Sequence, residues 1–317
     1  MKNHPDLLKQ LKESVGNVLV GKDNVVELLA ISLVSSGHVL LEDVPGTGKT
    51  MLAKTLATLM DAAFNRIQFT PDVLPSDVTG IQFFNPKEQS FELRPGPVMT
   101  NILLADEINR ATPRTQSSLL EVMEEFQVTI DGQTMPLPQP FIVIATQNPI
   151  ESQQGTFALP EAQMDRFLMQ IPVGYPTKQE EKTMLKLYKT SKPLDNLTPL
   201  ISNEDITVLQ EERGKIMISE AVEDYLLDIV SATRESEDIE VGVSPRGTLA
   251  FMRSVQARAL LHGRSYVTPE DVKFLAPCVL GHRLVLTLES TMTRTKEDIM
   301  DRLLQGIEAP VEQGYVK

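Results

Sequence analysis

The sequence predicts a three-layer α/β domain with a parallel five-stranded sheet, followed by a smaller all-α domain. Short apolar segments alternate with helical patterns up to about residue 173, which is typical of a parallel sheet covered by helices. Beyond that point apolar residues recur only at helical spacing. We therefore predict a core over residues 1–173, a linker helix region over 174–195 and a helical lid over 196–317.

The core begins with two helical patterns and then alternates strands with helices. The first helix is predicted from apolar residues at helical spacing around 7–15. The strands are predicted from apolar runs that are too short for buried helices. The predicted helices cover 7–15, 24–36, 50–62 and 113–126, and the predicted strands cover 38–41, 64–69, 101–107, 141–145 and 167–171.

Two further segments of the core do not fit the alternating pattern. Residues 71–100 are rich in Pro and Gly, and 81–84 could pair with 90–94 as a hairpin. Residues 128–135 contain Asp131-Gly132 between strand-forming residues, a strong signal for a two-residue hairpin turn. A long insert inside a compact domain is usually functional.

The C-terminal part reads as helices with clear start signals. Thr177 with Glu180 forms a capping box, and Thr268 followed by Pro269 marks another helix start. The predicted helices cover 177–188, 203–213, 219–234, 245–262, 269–280 and 296–305.

The composition is that of a globular chain of 317 residues, 41% hydrophobic and 23% charged. The net charge of −13 argues against a surface built for nucleic acid. A single cysteine, Cys278, excludes an internal disulfide, and four scattered histidines argue against a structural metal site. The N-terminus has no signal-peptide pattern and no apolar stretch is long enough for a bilayer, so we expect a cytoplasmic protein without a membrane anchor.

The stretch from Leu40 to Met51 has the features of a phosphate-binding loop between a strand and a helix. Gly46 and Gly48 allow the backbone to curl so that its N–H groups and the helix N-terminus face an anion. Lys49 can reach the outer phosphates and the Thr50 hydroxyl can bind Mg²⁺. Asp43 stands where the usual pattern has its first glycine, which affects the entry turn. The alternative is an ordinary turn with an incidental lysine.

Polar residues end two later strands. Asp106 and Glu107 follow an apolar strand, where one carboxylate can hold the metal and the other can orient an attacking water. Asn148 ends a neighbouring strand, where its amide could position the water or contact the terminal phosphate. The alternatives are an exposed acidic turn and a turn residue before Pro149.

Two arginines are candidates for contact with phosphate. Arg246 lies in the first turn of a predicted helix, where the dipole disfavours a cation, so a bound phosphate would offset that cost. Arg166 precedes the fifth strand and could reach the nucleotide site of a neighbouring subunit. The alternatives are a solvent-exposed Arg246 and a local ion pair of Arg166 with Asp165 or Glu161. Arg110 and Arg114 are other candidates for the trans-acting arginine.

Taken together, these motifs resemble those of the AAA+ ATPases, and within them the MoxR family, over nearly the whole chain. Residues 45–50 resemble Walker A, 103–107 Walker B, 145–149 sensor 1, 159–167 the arginine-finger segment and 243–247 sensor 2. Val20-Gly21 matches the position near the adenine. The segments 74–80, 106–111 and 159–167 are the most specific to the family.

The resemblance implies a hexameric ring of P-loop NTPase cores, each with a helical lid, an insert at about 71–100 and a hairpin at about 128–135. It implies ATP and Mg²⁺ as cofactors, with Thr50 and Asp106 as metal ligands and Glu107, Asn148, Arg166 and Arg246 as catalytic residues. It also implies a partner with a von Willebrand factor A domain. The implied nucleotide-binding residues are Gly21, Pro45, Gly46, Thr47, Gly48, Lys49, Thr50 and Met51.

The leading hypothesis is a Mg²⁺-dependent ATPase that remodels, matures or inserts metal cofactors into protein clients. A second hypothesis is a nucleic-acid-stimulated motor, although the hairpin at 128–135 has no basic residue. A third is an ATP-dependent assembly switch with little turnover. DNA stimulation of the ATPase and the rate of phosphate release distinguish the three.

Overall fold

The computed structural model describes residues 4–42, 46–147, 156–189 and 193–310. The helices are α1 (His4–Gly16), α2 (Asp23–Val34), α3 (Lys49–Leu59), α4 (Pro75–Thr79), α5 (Pro113–Glu125), α6 (Glu161–Met164), α7 (Lys178–Leu187), α8 (Asn203–Arg213), α9 (Glu220–Glu235), α10 (Pro245–Leu261), α11 (Pro269–Leu280), α12 (Leu288–Thr293) and α13 (Lys296–Gly306). The strands are β1 (Val39–Glu42), β2 (Phe64–Gln68), β3 (Gly80–Asn85), β4 (Ser90–Pro95), β5 (Ile102–Asp106), β6 (Gln127–Ile130), β7 (Gln133–Pro136), β8 (Ile142–Gln147), β9 (Met169–Pro172), β10 (Ile239–Val241) and β11 (Val285–Leu286).

The main sheet has five parallel strands in the order β2-β5-β8-β1-β9. The predicted parallel five-stranded sheet is therefore confirmed. Its central strands are continuous apolar runs because both of their faces are covered. The register pairs Gln68 with Asp106 and Glu42 with Gln147, so polar residues of four strands reach the same carboxyl-terminal edge.

Two apolar clusters cover the two faces of this sheet and make the domain three-layered. Alternate strand residues belong to different clusters, because successive side chains of a strand point to opposite faces. Leu104 packs in the cluster that contains α1, α2 and α3, whereas Leu103 packs in the cluster that contains α5 and β6.

The two predicted hairpins are both present. β3 pairs with β4, and Phe84 stands opposite Phe91 at the exposed end of the pair with a ring-centroid distance of 5.5 Å. β6 pairs with β7 around the turn at Asp131-Gly132, where both residues have positive φ. The structure adds the short helix α4 before β3, which lacks the length needed for a helical periodicity in the sequence.

The C-terminal helices pack on the core through α10, which contacts α2, and α11, which contacts β9. The structure also contains the antiparallel pair β10–β11 and the six-residue helix α12, which the sequence analysis did not predict. Both are too short to show a period. Within the described ranges, no helix has the length and apolar character needed to cross a membrane.

Candidate functional site

The described part of the phosphate loop, residues 46–50, leads into the N-terminus of α3. Gly46 and Gly48 have φ values of 87° and 91°, in the left-handed region that favours glycine. A Cβ on Gly48 would lie 2.7 Å from Cδ2 of Leu19, so the position also lacks room for a side chain. This conformation suits an anion at the start of α3, and anion binding there stays a prediction.

The loop borders a cavity of about 440 Å³ at the carboxyl-terminal edge of the sheet, which we call the phosphate cavity. The predicted residues that line it are Gly46, Gly48, Lys49, Thr50, Met51, Asp106 and Glu107. Five residues not singled out by the sequence analysis also line it: Lys54, Arg66, Gln68, Thr146 and Gln147. The cavity is within the size range of small-molecule sites.

Asp106 is held in place by two neighbouring strands. The Thr146 hydroxyl on β8 donates to its Oδ1 at 2.6 Å, and Arg66 on β2 forms an ion pair with its Oδ2 at 2.7 Å. The carboxylate thus has a fixed orientation toward the cavity and retains further lone pairs for a ligand.

Glu107 has φ 57° and ψ 50°, a left-handed conformation that is uncommon for a residue other than glycine. Its backbone N–H donates to the Thr146 hydroxyl at 2.9 Å. Its Oε2 accepts from Gln68 Nε2 at 2.8 Å and from Arg110 Nη1 at 3.0 Å. The strained backbone aims this carboxylate into the cavity, and the two donors hold it there.

The donor set of the phosphate cavity fits a nucleotide-bound Mg²⁺. Mg²⁺ prefers oxygen ligands and is usually held by one or two carboxylates together with substrate phosphates and water. The Thr50 hydroxyl and the Asp106 carboxylate both line the cavity and supply such ligands. In the described part of the chain, no group of three or more His, Cys, Asp or Glu residues could hold a metal ion without a nucleotide.

Several predicted residues lie elsewhere or outside the described part of the chain. Asn148, Pro45 and Asp43 are outside the described residues. Thr47 is described but is not among the residues that line the cavity. Gly21 does not line it either; its φ is 76°, and the Glu180 carboxylate occupies the space that a Cβ would need.

Arg166 and Arg246 lie away from the phosphate cavity, at a second cavity of about 330 Å³ that we call the arginine site. His38 and Leu168, which directly precede β1 and β9, line it. It is therefore at the amino-terminal edge of the sheet, opposite the phosphate loop. The charged residues that line it are Glu124, Asp165, Arg166, Arg246, Arg253 and Arg283.

Both predicted arginines contact the same carboxylate. Arg166 Nε lies 3.1 Å from Glu124 Oε2, and Arg246 Nη2 pairs with Glu124 Oε1. The Arg166 contact is an ion pair without hydrogen-bond geometry, since its Nε has no hydrogen-bond partner. Arg166 thus pairs with neither Asp165 nor Glu161, and Arg246 is not simply turned to solvent. Of the alternative candidates, Arg110 pairs with Glu107, which lines the phosphate cavity.

The arginine site carries a surplus of positive charge, with four arginines against two carboxylates. Burial and the charge of Arg246 lower the pKa of Arg253 from its ordinary value. Burial also lowers the pKa of Arg283, although the neighbouring Asp165 opposes that shift. In a chain with a net charge of −13, such a concentration of cations is suited to an anionic ligand.

The residues that sequence reasoning missed carry no motif of their own. Arg66 and Gln68 lie two positions apart on β2. Only the register of β2 against β5 brings them beside Asp106 and Glu107. Glu124 is one of several acids on α5. Its place in the last turn of α5, where the dipole disfavours a carboxylate, is shared with Glu125 and so does not single it out.

Comparisons with known proteins agree with this geometry. A family model described as "ATPase family associated with various cellular activities (AAA)" matches residues 38–169, and one described as "AAA lid domain" matches residues 231–303. The chain is 48% identical to the uncharacterized protein YeaC of Bacillus subtilis, over 99% of this chain and 98% of that protein.

A chaperone and a solved structure extend the comparison. The chain is 42% identical to Chaperone MoxR1 of Mycobacterium tuberculosis, over 93% of this chain and 80% of that protein. The crystal structure of a candidate ATPase from Cytophaga hutchinsonii is similar with a TM-score of 0.89 and 38% identity, covering 97% of this chain and 96% of that one. This chain belongs to the MoxR family of AAA+ ATPases.

Proposed function

We propose that this protein is a Mg²⁺-dependent ring ATPase, a hexamer by family resemblance, that uses ATP hydrolysis to remodel protein clients. The observation that carries the proposal is the division of charged groups between two edges of one sheet. Lys49, Thr50, Asp106 and Glu107 belong to one edge, and Arg166 and Arg246 belong to the other. A ring in which one edge faces the other edge of the next subunit brings the two halves together.

In the proposed site, the phosphate loop binds the triphosphate. The N–H groups at the start of α3 and the ammonium of Lys49 neutralise the phosphate oxygens. Thr50 and Asp106 would hold Mg²⁺, which would neutralise negative charge on the phosphates during transfer. Asn148, the next residue in the sequence after β8, would contact the attacking water or the terminal phosphate, and Gly21 would lie near the adenine.

Glu107 is the proposed general base. Its carboxylate can accept a proton from the attacking water while Gln68 and Arg110 fix its orientation. Water then attacks the terminal phosphorus and the bond to the bridging oxygen breaks, so that ADP and phosphate leave the site. The proton passes from Glu107 to bulk water when the products leave.

Arg166 and Arg246 are proposed to act on the nucleotide of the neighbouring subunit. Neither lines the phosphate cavity of its own chain, so each is better placed to act in trans. Guanidinium groups there would stabilise the charge that develops on the transferring phosphoryl group. A trans-acting arginine of this kind contributes about 10³–10⁵ in rate.

A subunit-mixing experiment tests this arrangement. Arg166→Ala removes the arginine of a subunit and leaves its phosphate cavity intact, whereas Glu107→Gln does the reverse. Each variant alone should release phosphate far more slowly than the wild type, and the mixture should recover part of the rate because Glu107→Gln subunits supply arginines to Arg166→Ala subunits. A mixture that stays inactive, or full activity of Arg166→Ala alone, overturns the trans arrangement.

Action on protein clients rests on the family and on the name of the Mycobacterium tuberculosis relative. In the presence of ATP, Glu107→Gln rings should retain clients that the wild type releases. The proposed partner is a protein with a von Willebrand factor A domain. Single- and double-stranded DNA should leave the ATPase rate unchanged. Stimulation by DNA with a steep salt dependence would instead favour a nucleic-acid motor.

A further inference from the structure

Glu124 occupies a position that its own helix disfavours. It lies in the last turn of α5, where the helix dipole is negative and where basic residues are usually preferred. Arg246 has the opposite problem, since it lies in the first turn of α10. The two residues face each other at the arginine site and pair. The contact between Glu124 and Arg246 therefore explains why a carboxylate stands at the end of α5 and a cation at the start of α10, which neither helix alone explains.

The pairing brings two like charges together. Arg166 and Arg246 come from different elements, yet they contact the same carboxylate, Arg166 at Oε2 of Glu124 and Arg246 at Oε1. Without that carboxylate the guanidinium groups would repel each other and, as long side chains, would occupy many rotamers. Glu124 thus converts two separate arginines into one pair with a defined spacing.

The backbone that carries the pair is fixed by other contacts. The side chain of Arg283, only 3% exposed, donates to the carbonyl oxygens of Phe167 and Leu168 and forms an ion pair with Asp165 at 2.7 Å. The Ser244 hydroxyl, at the N-cap of α10, donates to Asp165 Oδ2 at 2.9 Å. The segment before β9 and the start of α10 are therefore tied together independently of Glu124.

We propose that Glu124 is a positioning residue that holds Arg166 and Arg246 as one preorganised pair for the triphosphate of the neighbouring subunit. The inference rests on the proposed function, since it concerns the same trans-acting arginines. Glu124 does not line the phosphate cavity of its own chain. Its effect should therefore appear only in the subunit that donates arginines, and not in the one that binds nucleotide.

The test uses Glu124→Gln, with Glu125→Gln as the matched control on the next, exposed position of α5. Glu124→Gln should fold, because it removes a carboxylate from a helix end that disfavours one. It should lower kcat by about 10- to 100-fold, the range expected when catalytic groups are misplaced by a fraction of an ångström to an ångström. Glu125→Gln should keep the wild-type rate.

Mixing then separates positioning from a merely structural role. Glu124→Gln subunits mixed with Glu107→Gln subunits should recover activity, because the latter supply intact arginine pairs to intact nucleotide sites. Glu124→Gln mixed with Arg166→Ala should not recover, because both lack a functional pair. Recovery in neither mixture, recovery in both, or an unchanged or increased rate of Glu124→Gln alone would overturn the inference.

The controls also distinguish the inference from the function on which it depends. If Arg166→Ala itself has the wild-type rate, the trans arrangement fails, whatever Glu124→Gln does. If Arg166→Ala is inactive and is rescued by Glu107→Gln while Glu124→Gln behaves like the wild type, only the role of Glu124 fails.

Discussion

The hydroxyl of Thr146 joins the two neighbouring acids of the phosphate cavity. It donates to Asp106 Oδ1 at 2.6 Å and accepts from the backbone N–H of Glu107 at 2.9 Å. One buried side chain on β8 therefore sets the orientation of the proposed metal ligand and supports the left-handed backbone of the proposed base. The geometry of this half of the site depends on the register of β8 against β5.

We expect Thr146→Val to lower kcat by about tenfold or more, because removal of a second hydrogen-bonding layer around a metal ligand typically costs 10- to 100-fold. Valine has nearly the same shape but cannot donate to Asp106 or accept from Glu107. Thr146→Ser keeps the hydroxyl and should retain most of the rate. Steady-state phosphate release by the three proteins measures the effect. Equal rates for the valine and serine variants would remove the hydroxyl from the mechanism.

Glu107→Gln should bind ATP with nearly wild-type affinity and hydrolyse it about 10²–10⁴-fold more slowly, the usual contribution of general acid–base catalysis. Glutamine preserves the size of the side chain and can still accept from Gln68, but it cannot take a proton from water. Calorimetric titration measures binding, and phosphate release measures turnover. Glu88→Gln in the insert serves as the control. Turnover near the wild-type rate would exclude Glu107 as the base.

Much of the fold could be predicted because the signals are local and agree with one another. The apolar run at 102–105 is short and continuous, as buried parallel strands are, and the structure confirms β5 there. The starts of α7 and α11 fall where Thr177 and Thr268 form capping boxes with Glu180 and Asp271. Asp131-Gly132 is also a local signal, and the structure has the turn between β6 and β7 at these two residues.

What could not be predicted depends on contacts between distant segments. The contact of Gln68 with Glu107 depends on the strand order, and the contact of Glu124 with Arg246 depends on where the end of α5 lies relative to the start of α10. Nothing in the residues around Glu124 distinguishes it from Glu121 or Glu125. The placement of Arg166 and Arg246 on the edge opposite the phosphate loop also follows from the sheet as a whole.

Asp271 should be important for stability rather than for catalysis. Its carboxylate is fully buried and contacts Arg258 at 2.5 Å and Arg264 at 2.6 Å. Burial alone would raise its pKa, but hydrogen bonds from Arg264 and the Thr268 backbone bring the pKa below its ordinary value. Asp271→Asn removes the carboxylate that pairs with Arg264 and leaves Arg258 with Glu27 alone, and breaking a buried pair in this way typically costs about 3–5 kcal/mol.

Urea unfolding of Asp271→Asn measures that loss against Glu270→Gln, a control at the neighbouring exposed position on the same helix. The control should change the free energy of unfolding by no more than about 0.5 kcal/mol. A loss of similar size in both variants would indicate that the arginine pairs contribute little.

His38 should make stability depend on pH in a defined direction. It is buried between α5 and β8, where its Nε2 donates to the Met123 carbonyl at 2.9 Å and its Nδ1 accepts from the Val143 N–H at 3.0 Å. The contact with Val143 requires the neutral ring, because a protonated Nδ1 cannot accept a hydrogen bond. Burial lowers its pKa from 6.5 to about 4, so the folded state resists a proton that the unfolded state accepts.

The free energy of unfolding should therefore be unaffected by His38 above pH 6.5 and should decline as the pH falls from there toward 4. Between about pH 7.5 and about pH 5.5 this residue alone should remove about 1 kcal/mol. His38→Gln can keep both hydrogen bonds but cannot titrate, so its urea-unfolding free energy should fall by about 1 kcal/mol less than that of the wild type over the same interval. Parallel pH profiles for the two proteins would show that His38 binds protons equally in the folded and unfolded states, contrary to its burial.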